Sequence, residues 1–170
     1  MKMSLSGIAG DSIVDGPGIR MTIFTQGCIH HCPGCQNPQT HDPKGGSWGY
    51  TEDILAAAAE NPLLDGITLS GGDPFMQPVP CTELAKGAHK LGLNVWTYTG
   101  YTWEQLFEEN DPEKLALLKE SDVLVDGPFL LAERSLELLF CGSRNQRLID
   151  VKRSLENDSI VLWEPEKLTI

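Results

Sequence analysis

The sequence predicts an α/β fold with a mostly parallel sheet, and three observations carry that expectation. Short apolar segments bounded by Gly, Pro, Asn and Asp alternate with segments of helical periodicity, the pattern of strand–helix–strand units joined by right-handed crossovers. The strand segments are apolar without strict alternation, as expected where helices cover a sheet face. The chain has 170 residues, short of the roughly 250 of a closed eightfold barrel, which leaves an incomplete barrel or an open sheet. No internal repeat, low-complexity tract or Ser/Gly linker interrupts it, so residues 1–170 read as one domain.

The elements follow in order. Residues 20–26 mix β-branched and aromatic side chains and end at Gly27, a strand signal. Residues 28–40 contain Pro33, Gly34 and Pro38 and read as a loop. Thr51 is the expected N-cap of a helix over about 52–60. Residues 66–69 form a short strand, followed by the turn sequence Ser70-Gly71-Gly72-Asp73-Pro74. Leu84, Ala85, Ala88 and Leu91 recur at helical spacing over 81–91, with Gly92 as the stop. Residues 94–98 are a strand broken by Gly100. Thr102 with Gln105 forms a capping box for a helix over about 103–109. Pro112 opens a further helix running to about Glu120. Residues 123–125 are a strand stopped by Asp126-Gly127-Pro128. Residues 130–140 fit helix and loop equally, and 148–151 and 160–163 are expected as late, short strands.

In a parallel sheet all strand C-termini share one edge, where α/β proteins build their sites. The cysteine loop follows the first strand of this series and the Gly-Gly-Asp turn follows the second. Thr97 to Gly100 closes the third, and Asp126-Gly127-Pro128 closes the fourth. Four unusual stretches are thereby expected at one place.

Charge and composition exclude several function classes. Thirteen Lys and Arg stand against 24 Asp and Glu, for a net charge of −11, which argues against nucleic acid as a partner. With 41% hydrophobic and 22% charged residues, wholesale disorder is not expected. The opening MKMSLSGIAG has one Lys and no apolar core, so it does not read as a secretory signal. The longest apolar run, 54–59, is far short of the ~20 residues that span a bilayer. No membrane partner is expected, and the chain reads as cytoplasmic.

The five cysteines are more specific, because three of them fall at 28, 32 and 35. Without an export signal a disulfide framework is a poor reading, and clustered thiols point to metal or cluster binding. Three thiolates in one short loop hold three corners of a cubane. A four-iron cluster needs four ligands, usually Cys. The missing fourth would leave one iron open to a small chelating ligand. The alternative is a structural zinc site with His30 or His31 as fourth ligand, although zinc motifs usually come as two ligand pairs with a longer spacer. His30 and His31 otherwise read as polar loop residues. Cys81 and Cys141 read as small buried or bystander thiols, and Trp96, Tyr98, Tyr101 and Trp103 as packing residues.

The Cys28-x3-Cys32-x2-Cys35 spacing resembles the signature of the radical S-adenosylmethionine enzymes. Ser12-Ile13-Val14-Asp15-Gly16-Pro17-Gly18-Ile19-Arg20, then Gln26-Gly27-Cys28 and Cys32-Pro33-Gly34-Cys35-Gln36-Asn37-Pro38, resemble the activating enzymes of glycyl-radical proteins. Ser70-Gly71-Gly72-Asp73-Pro74, Tyr98-Thr99-Gly100-Tyr101, the stretch 122–129 and the stretch 142–151 resemble the activators of anaerobic ribonucleoside-triphosphate reductases. These matches run from about residue 7 to 155, most of the chain.

The resemblance implies an incomplete (β/α) barrel, a [4Fe-4S] cluster on Cys28, Cys32 and Cys35, and S-adenosylmethionine bound to the open iron through its amino and carboxylate groups. It implies that an electron from the cluster cleaves the sulfonium, and that the resulting 5′-deoxyadenosyl radical takes a hydrogen atom from a glycine of the reductase. It also implies a low-potential electron donor such as a flavodoxin or ferredoxin. Gly71 and Gly72 would bring backbone carbonyls to the methionine ammonium where a Cβ would obstruct, with Asp73 as its negative partner. Gly34, Cys35 and Gln36 would lie against the adenine. Thr97 and Asp126 would hold the ribose, the carboxylate or a cation, the plainer reading of Asp126 being a turn-initiating residue. Asp15, Arg20 and the loop 142–147 are candidate contacts for the partner, with an ordinary surface ion pair as the alternative for the first two. Hydrogen abstraction requires no protein acid or base, so no catalytic side chain is expected. Two departures stand out: Gly34 where many relatives carry an aromatic residue, and Asp73 where many carry Glu. Three other functions remain compatible with the residues: activation of another glycyl-radical enzyme such as pyruvate formate-lyase, a small radical enzyme acting on a metabolite, and a non-catalytic zinc-binding module.

Overall fold

The structure, a computed structural model, describes residues 1–165. Its strands are β1 (Lys2–Ser12), β2 (Arg20–Thr25), β3 (Ser47–Tyr50), β4 (Gly66–Gly71), β5 (Asn94–Tyr98), β6 (Val123–Asp126) and β7 (Arg147–Asp150). Its helices are α1 (Thr51–Glu60), α2 (Pro78–Lys90), α3 (Trp103–Glu109), α4 (Pro112–Glu120) and α5 (Val151–Asn157). The strands form one sheet in the order β3-β1-β2-β4-β5-β6-β7. Its centre, β2-β4-β5-β6, is parallel throughout. Its margins are antiparallel, β1 and β3 on one side and β7 on the other. The sheet does not close on itself, as expected for an α/β fold too short for a full barrel.

The sheet is held by the helices that connect its parallel strands. Ile23, Ile67, Leu69, Val95 and Leu124 from the central strands are essentially inaccessible. They pack in one core with Leu84, Ala85 and Ala88 of α2 and Leu117 and Leu118 of α4. Each large aliphatic side chain so buried contributes roughly 1.5–3 kcal/mol. Trp96, Val123 and Val125 form a second, smaller cluster with Phe140 and Trp163. Among the described residues no helix is long and apolar enough to cross a membrane.

Several boundaries differ from expectation. Thr51 does not cap α1. Tyr50 occupies the cap position without a side-chain bond, while the buried Thr51 hydroxyl donates to Glu83 Oε1 at 2.5 Å. Helix α2 begins at Pro78, since proline fits the first helical turn where no N–H is needed. Residues 130–140 are a loop with a single 3-10 turn at Leu131–Glu133. The 148–151 segment is the edge strand β7, followed directly by α5 under an Asp150 cap. The 160–163 segment makes only an isolated bridge, Ile149 to Leu162. Strands β1 and β3 and helix α5 were not expected. The Ser/Gly-rich sequence of β1 has low strand propensity and is held by pairing with β2 and β3.

The parallel centre determines where the loops lie. The segments after β2, β4, β5 and β6 all leave from the same edge.

Candidate functional site

A cavity of about 380 Å³ opens at that edge. Cys28, Cys32, Cys35 and Gln36 line it from the loop after β2, and Gly71 and Gly72 from the turn after β4. Thr99 and Gly100 come from the end of β5, Gly127 and Phe129 from the segment after β6, and Cys141, Gly142 and Gln146 from the loop before β7.

The cysteine loop is shaped by its own backbone. Gly27 N–H donates to Thr40 O at 2.7 Å and Cys28 N–H to His41 O at 3.1 Å, closing the loop at its base. Cys35 N–H donates to Cys32 O at 3.0 Å, a turn through Pro33 and Gly34 that brings the second and third cysteines together. Asn37 N–H donates to Cys35 Sγ at 3.4 Å. All three thiols are free and partly exposed. Burial raises the Cys28 thiol above its ordinary pKa, so loading this ligand with metal releases a proton.

Gly71 and Gly72 are required by the close approach of two strand ends. Gly71 has φ +101°, and a Cβ there would lie 2.6 Å from Thr25 O. A Cβ on Gly72 would meet Gly27 O. The glycines let β4 press against the end of β2, sealed by Gly72 N–H to Thr25 O at 2.8 Å and Asp73 N–H to Gly27 O at 2.9 Å. Their backbones still face the cavity.

Four expected positions lie outside the cavity lining. Asp73 is fully buried, and its carboxylate accepts from Phe75 N–H, Thr99 Oγ1, Gly100 N–H and His30 Nε2. With those four donors it is not turned toward a ligand. Thr97 is buried against Ser121, Oγ to Oγ at 2.7 Å. Asp126 accepts from Trp103 N–H at 2.8 Å and from Arg147 Nη2 at 2.5 Å. Gly34 abuts Leu131. The three polar side chains are thus taken up by neighbouring segments.

Arg20 is likewise no surface residue. It is fully buried, donating to Thr68 Oγ1 and to the carbonyls of Pro17 and Ile67. Asp15 does line the cavity, and its carboxylate accepts from Ser12 Oγ at 2.6 Å and Thr22 Oγ1 at 3.0 Å.

Residues the sequence reading did not place here include His30, Phe129, Phe140 and Cys141. Burial keeps both the Cys141 thiol and the Tyr98 phenol protonated beyond their ordinary range. The phenol donates to Phe140 O at 2.6 Å and so ties the 130–140 loop to β5. The sequence signal for this wall was the Gly142–Gln146 stretch, whose neighbours it did not reveal.

Comparison with known proteins adds the decisive observation. Residues 14–149 match the family model described as a 4Fe-4S single cluster domain. The chain is 36% identical over 144 residues to the anaerobic ribonucleoside-triphosphate reductase-activating protein of Vibrio cholerae, covering 79% of this chain and 89% of that one. It is 34% identical over 145 residues to the protein of the same name from Escherichia coli, covering 79% and 90%.

The chain belongs to this family of activating proteins.

A fainter likeness, TM-score 0.48 at 18% identity over 60% of this chain and 54% of the other, links it to the crystal structure of QueE from Escherichia coli. Membership in a single-cluster 4Fe-4S family implies an iron–sulfur cluster in this activating protein, and the donor set suits one. Three thiols line one cavity wall. Soft thiolates are the donors that iron–sulfur clusters take, one to each iron.

Proposed function

We propose that this chain activates an anaerobic ribonucleoside-triphosphate reductase by reductive cleavage of S-adenosylmethionine, whose deoxyadenosyl radical takes a hydrogen atom from a glycine of that partner. The observation that carries the reading is the meeting of Cys28, Cys32 and Cys35 with the Gly71–Gly72 backbone on one cavity, in a chain of the activating-protein family. Under it, the three cysteines hold the cluster, and Gln36, Gly71 and Gly72 hold the cofactor beside the iron they leave open. Asp73 and Asp126 act from behind, fixing the segments that present those groups.

The work of the chain is binding, orientation and exclusion. Phe129 and Phe140 also line the cavity and limit water around the reacting atoms. Hydrogen abstraction asks for no acid or base, so no side chain is assigned one. An external low-potential donor such as a flavodoxin or ferredoxin would reduce the cluster for each turnover, in the cytoplasm.

The test is anaerobic reconstitution, reduction in the presence of S-adenosylmethionine, and quantitation of methionine and 5′-deoxyadenosine. We expect both products from the native protein and only background from Cys32→Ala. Adding the cognate reductase then yields a glycyl-radical signal in electron paramagnetic resonance. Cleavage without a radical on the reductase would move the assignment to another glycyl-radical partner or a small metabolite. Tightly bound zinc, with no cleavage, would overturn the enzyme reading.

A further inference from the structure

The loop that carries the cysteines is fastened to the turn that carries the glycines by one side-chain pair. His30 Nε2 lies 2.7 Å from Asp73 Oδ2, the histidine side chain 16% exposed and the aspartate fully enclosed. Asp73 is the centre of a larger knot. Its Oδ2 also accepts from Thr99 Oγ1 at 2.8 Å and Gly100 N–H at 3.0 Å, and its Oδ1 from Phe75 N–H at 2.9 Å. The carboxylate thus joins three strand-end segments, those after β2, β4 and β5.

The imidazole sits in a slot shaped to it. A Cβ on Gly100 would come within 2.6 Å of His30 Cγ, so only glycine leaves the ring its place. Tyr101 packs edge-on, centroid to centroid at 4.6 Å and 83°. Lys114 Nζ donates to the Tyr101 hydroxyl at 3.2 Å and lies 4.6 Å from its ring centre. A polar loop residue with one solvated contact would need none of this.

We propose that His30 is a positioning residue, clamped by Asp73, that sets the cysteine loop in register with the Gly71–Gly72 turn and so aligns the cluster ligands with the cofactor's binding groups. The clamp itself follows from the geometry; its consequence for the cofactor rests on the function proposed above. It also accounts for Asp at 73 rather than the longer Glu. With the carboxyl carbon one methylene closer to the backbone, Oδ1 caps the turn through Phe75 N–H while Oδ2 meets His30.

Two measurements test it. The first is hydrogen–deuterium exchange on the iron-free protein, which does not depend on any activity. In His30→Leu, peptides covering 28–36 should exchange about tenfold faster, the scale of one lost hydrogen bond to a charged group. In His30→Gln, whose amide nitrogen falls near the place of Nε2, they should return close to native rates. Should His30→Leu not fold, His30→Asn serves in its place, since its shorter amide stops short of Asp73. Unchanged exchange without the bond, or no rescue by Gln, overturns the clamp.

The second measurement is on reconstituted protein. His30→Leu should keep its iron but raise the apparent KM for S-adenosylmethionine about tenfold, with kcat changed far less and with Gln restoring KM. Faster exchange with an unchanged KM overturns the positioning role. If native protein cleaves no S-adenosylmethionine, the proposed function fails while the exchange data still decide the clamp.

Discussion

The guanidinium of Arg20 is enclosed at the start of β2. Its acceptors are a hydroxyl and backbone carbonyls: Thr68 Oγ1 at 2.8 Å, Ile67 O at 2.7 Å and Pro17 O at 3.1 Å. The Trp96 ring lies 5.7 Å away. Burial lowers its pKa to about 10, which still leaves it charged at neutral pH. An enclosed cation is tolerated because each of its three nitrogens donates a hydrogen bond, and its removal orphans those acceptors. A Cβ on Gly16 would approach Arg20 Cδ to 2.8 Å and one on Gly66 would approach Nη1 to 2.6 Å, so both glycines are fitted to this side chain. Thr68 in turn donates to Asp15 O at 2.8 Å, which carries the fastening on to the loop bearing Val14 and Asp15 at the cavity. Arg20→Ala should therefore lower the urea unfolding free energy by about 3 kcal/mol or more. Arg20→Lys should recover only part of it, because an ammonium cannot span three separated acceptors. A loss under about 1 kcal/mol for the alanine variant would show that solvent or neighbouring groups take over its contacts. In the sequence Arg20 stands in a Gly/Pro-rich approach to the cysteines and looks like a surface contact. Its acceptors are the Thr68 hydroxyl and Ile67 carbonyl of β4 and the nearby Pro17 carbonyl, a set that side-chain identity does not display. The same holds for Asp73 and Asp126: residue type marked them as special, and only the fold shows that their lone pairs are already occupied.

Elements with local signals were legible, and those held by distant partners were not. The capping box of α3 is present as read. Thr102 Oγ1 accepts from Gln105 N–H at 3.2 Å, and the Gln105 side chain accepts from Thr102 N–H at 2.9 Å. Asp111 similarly caps α4, ahead of Pro112. Thr102→Ala should cost about 1 kcal/mol by denaturant titration, with cluster loading unchanged because α3 contributes no residue to the cavity that the three cysteines line. A loss of several kcal/mol would mean that α3 orders more of the fold than its own first turn. Thr51 carries the same type of signal but not the same role, since its hydroxyl is taken by Glu83 and helix α1 starts without a side-chain cap. Competition from a tertiary partner is invisible to a local motif. Strands β1 and β3 illustrate the other limit. Met3 and Leu5 of β1 are buried, yet Gly7 and Gly10 dilute the apolar pattern beyond them. The four-residue β3 exists through its pairing with β1.

At the scale of the whole molecule, the core and the site are separate constructions. The main hydrophobic cluster runs from Met3 to Val151 in sequence and draws on β1, the parallel strands and helices α1, α2, α3 and α4. No residue between 24 and 53 belongs to it, so the cysteine loop rests on the sheet edge without contributing to the apolar core. That division was legible from chain order alone, because parallel strands place all their trailing loops together. It also distinguishes two kinds of metalloprotein. A small zinc-held module uses the metal as its core and unfolds when chelated. Here the main core draws on no residue of the cysteine loop. Stripping the reconstituted protein of iron should leave its far-UV circular dichroism and its cooperative thermal transition nearly intact. Amides of 66–71 and 94–98 should keep their protection against exchange, and only peptides of the cysteine loop and of 127–146 should open. The comparison is best made on one preparation, before and after anaerobic chelation, so that thiol oxidation does not enter. Collapse of the cooperative transition on metal removal would mean that the cysteine loop supports the sheet, and the division between scaffold and site would fall with it.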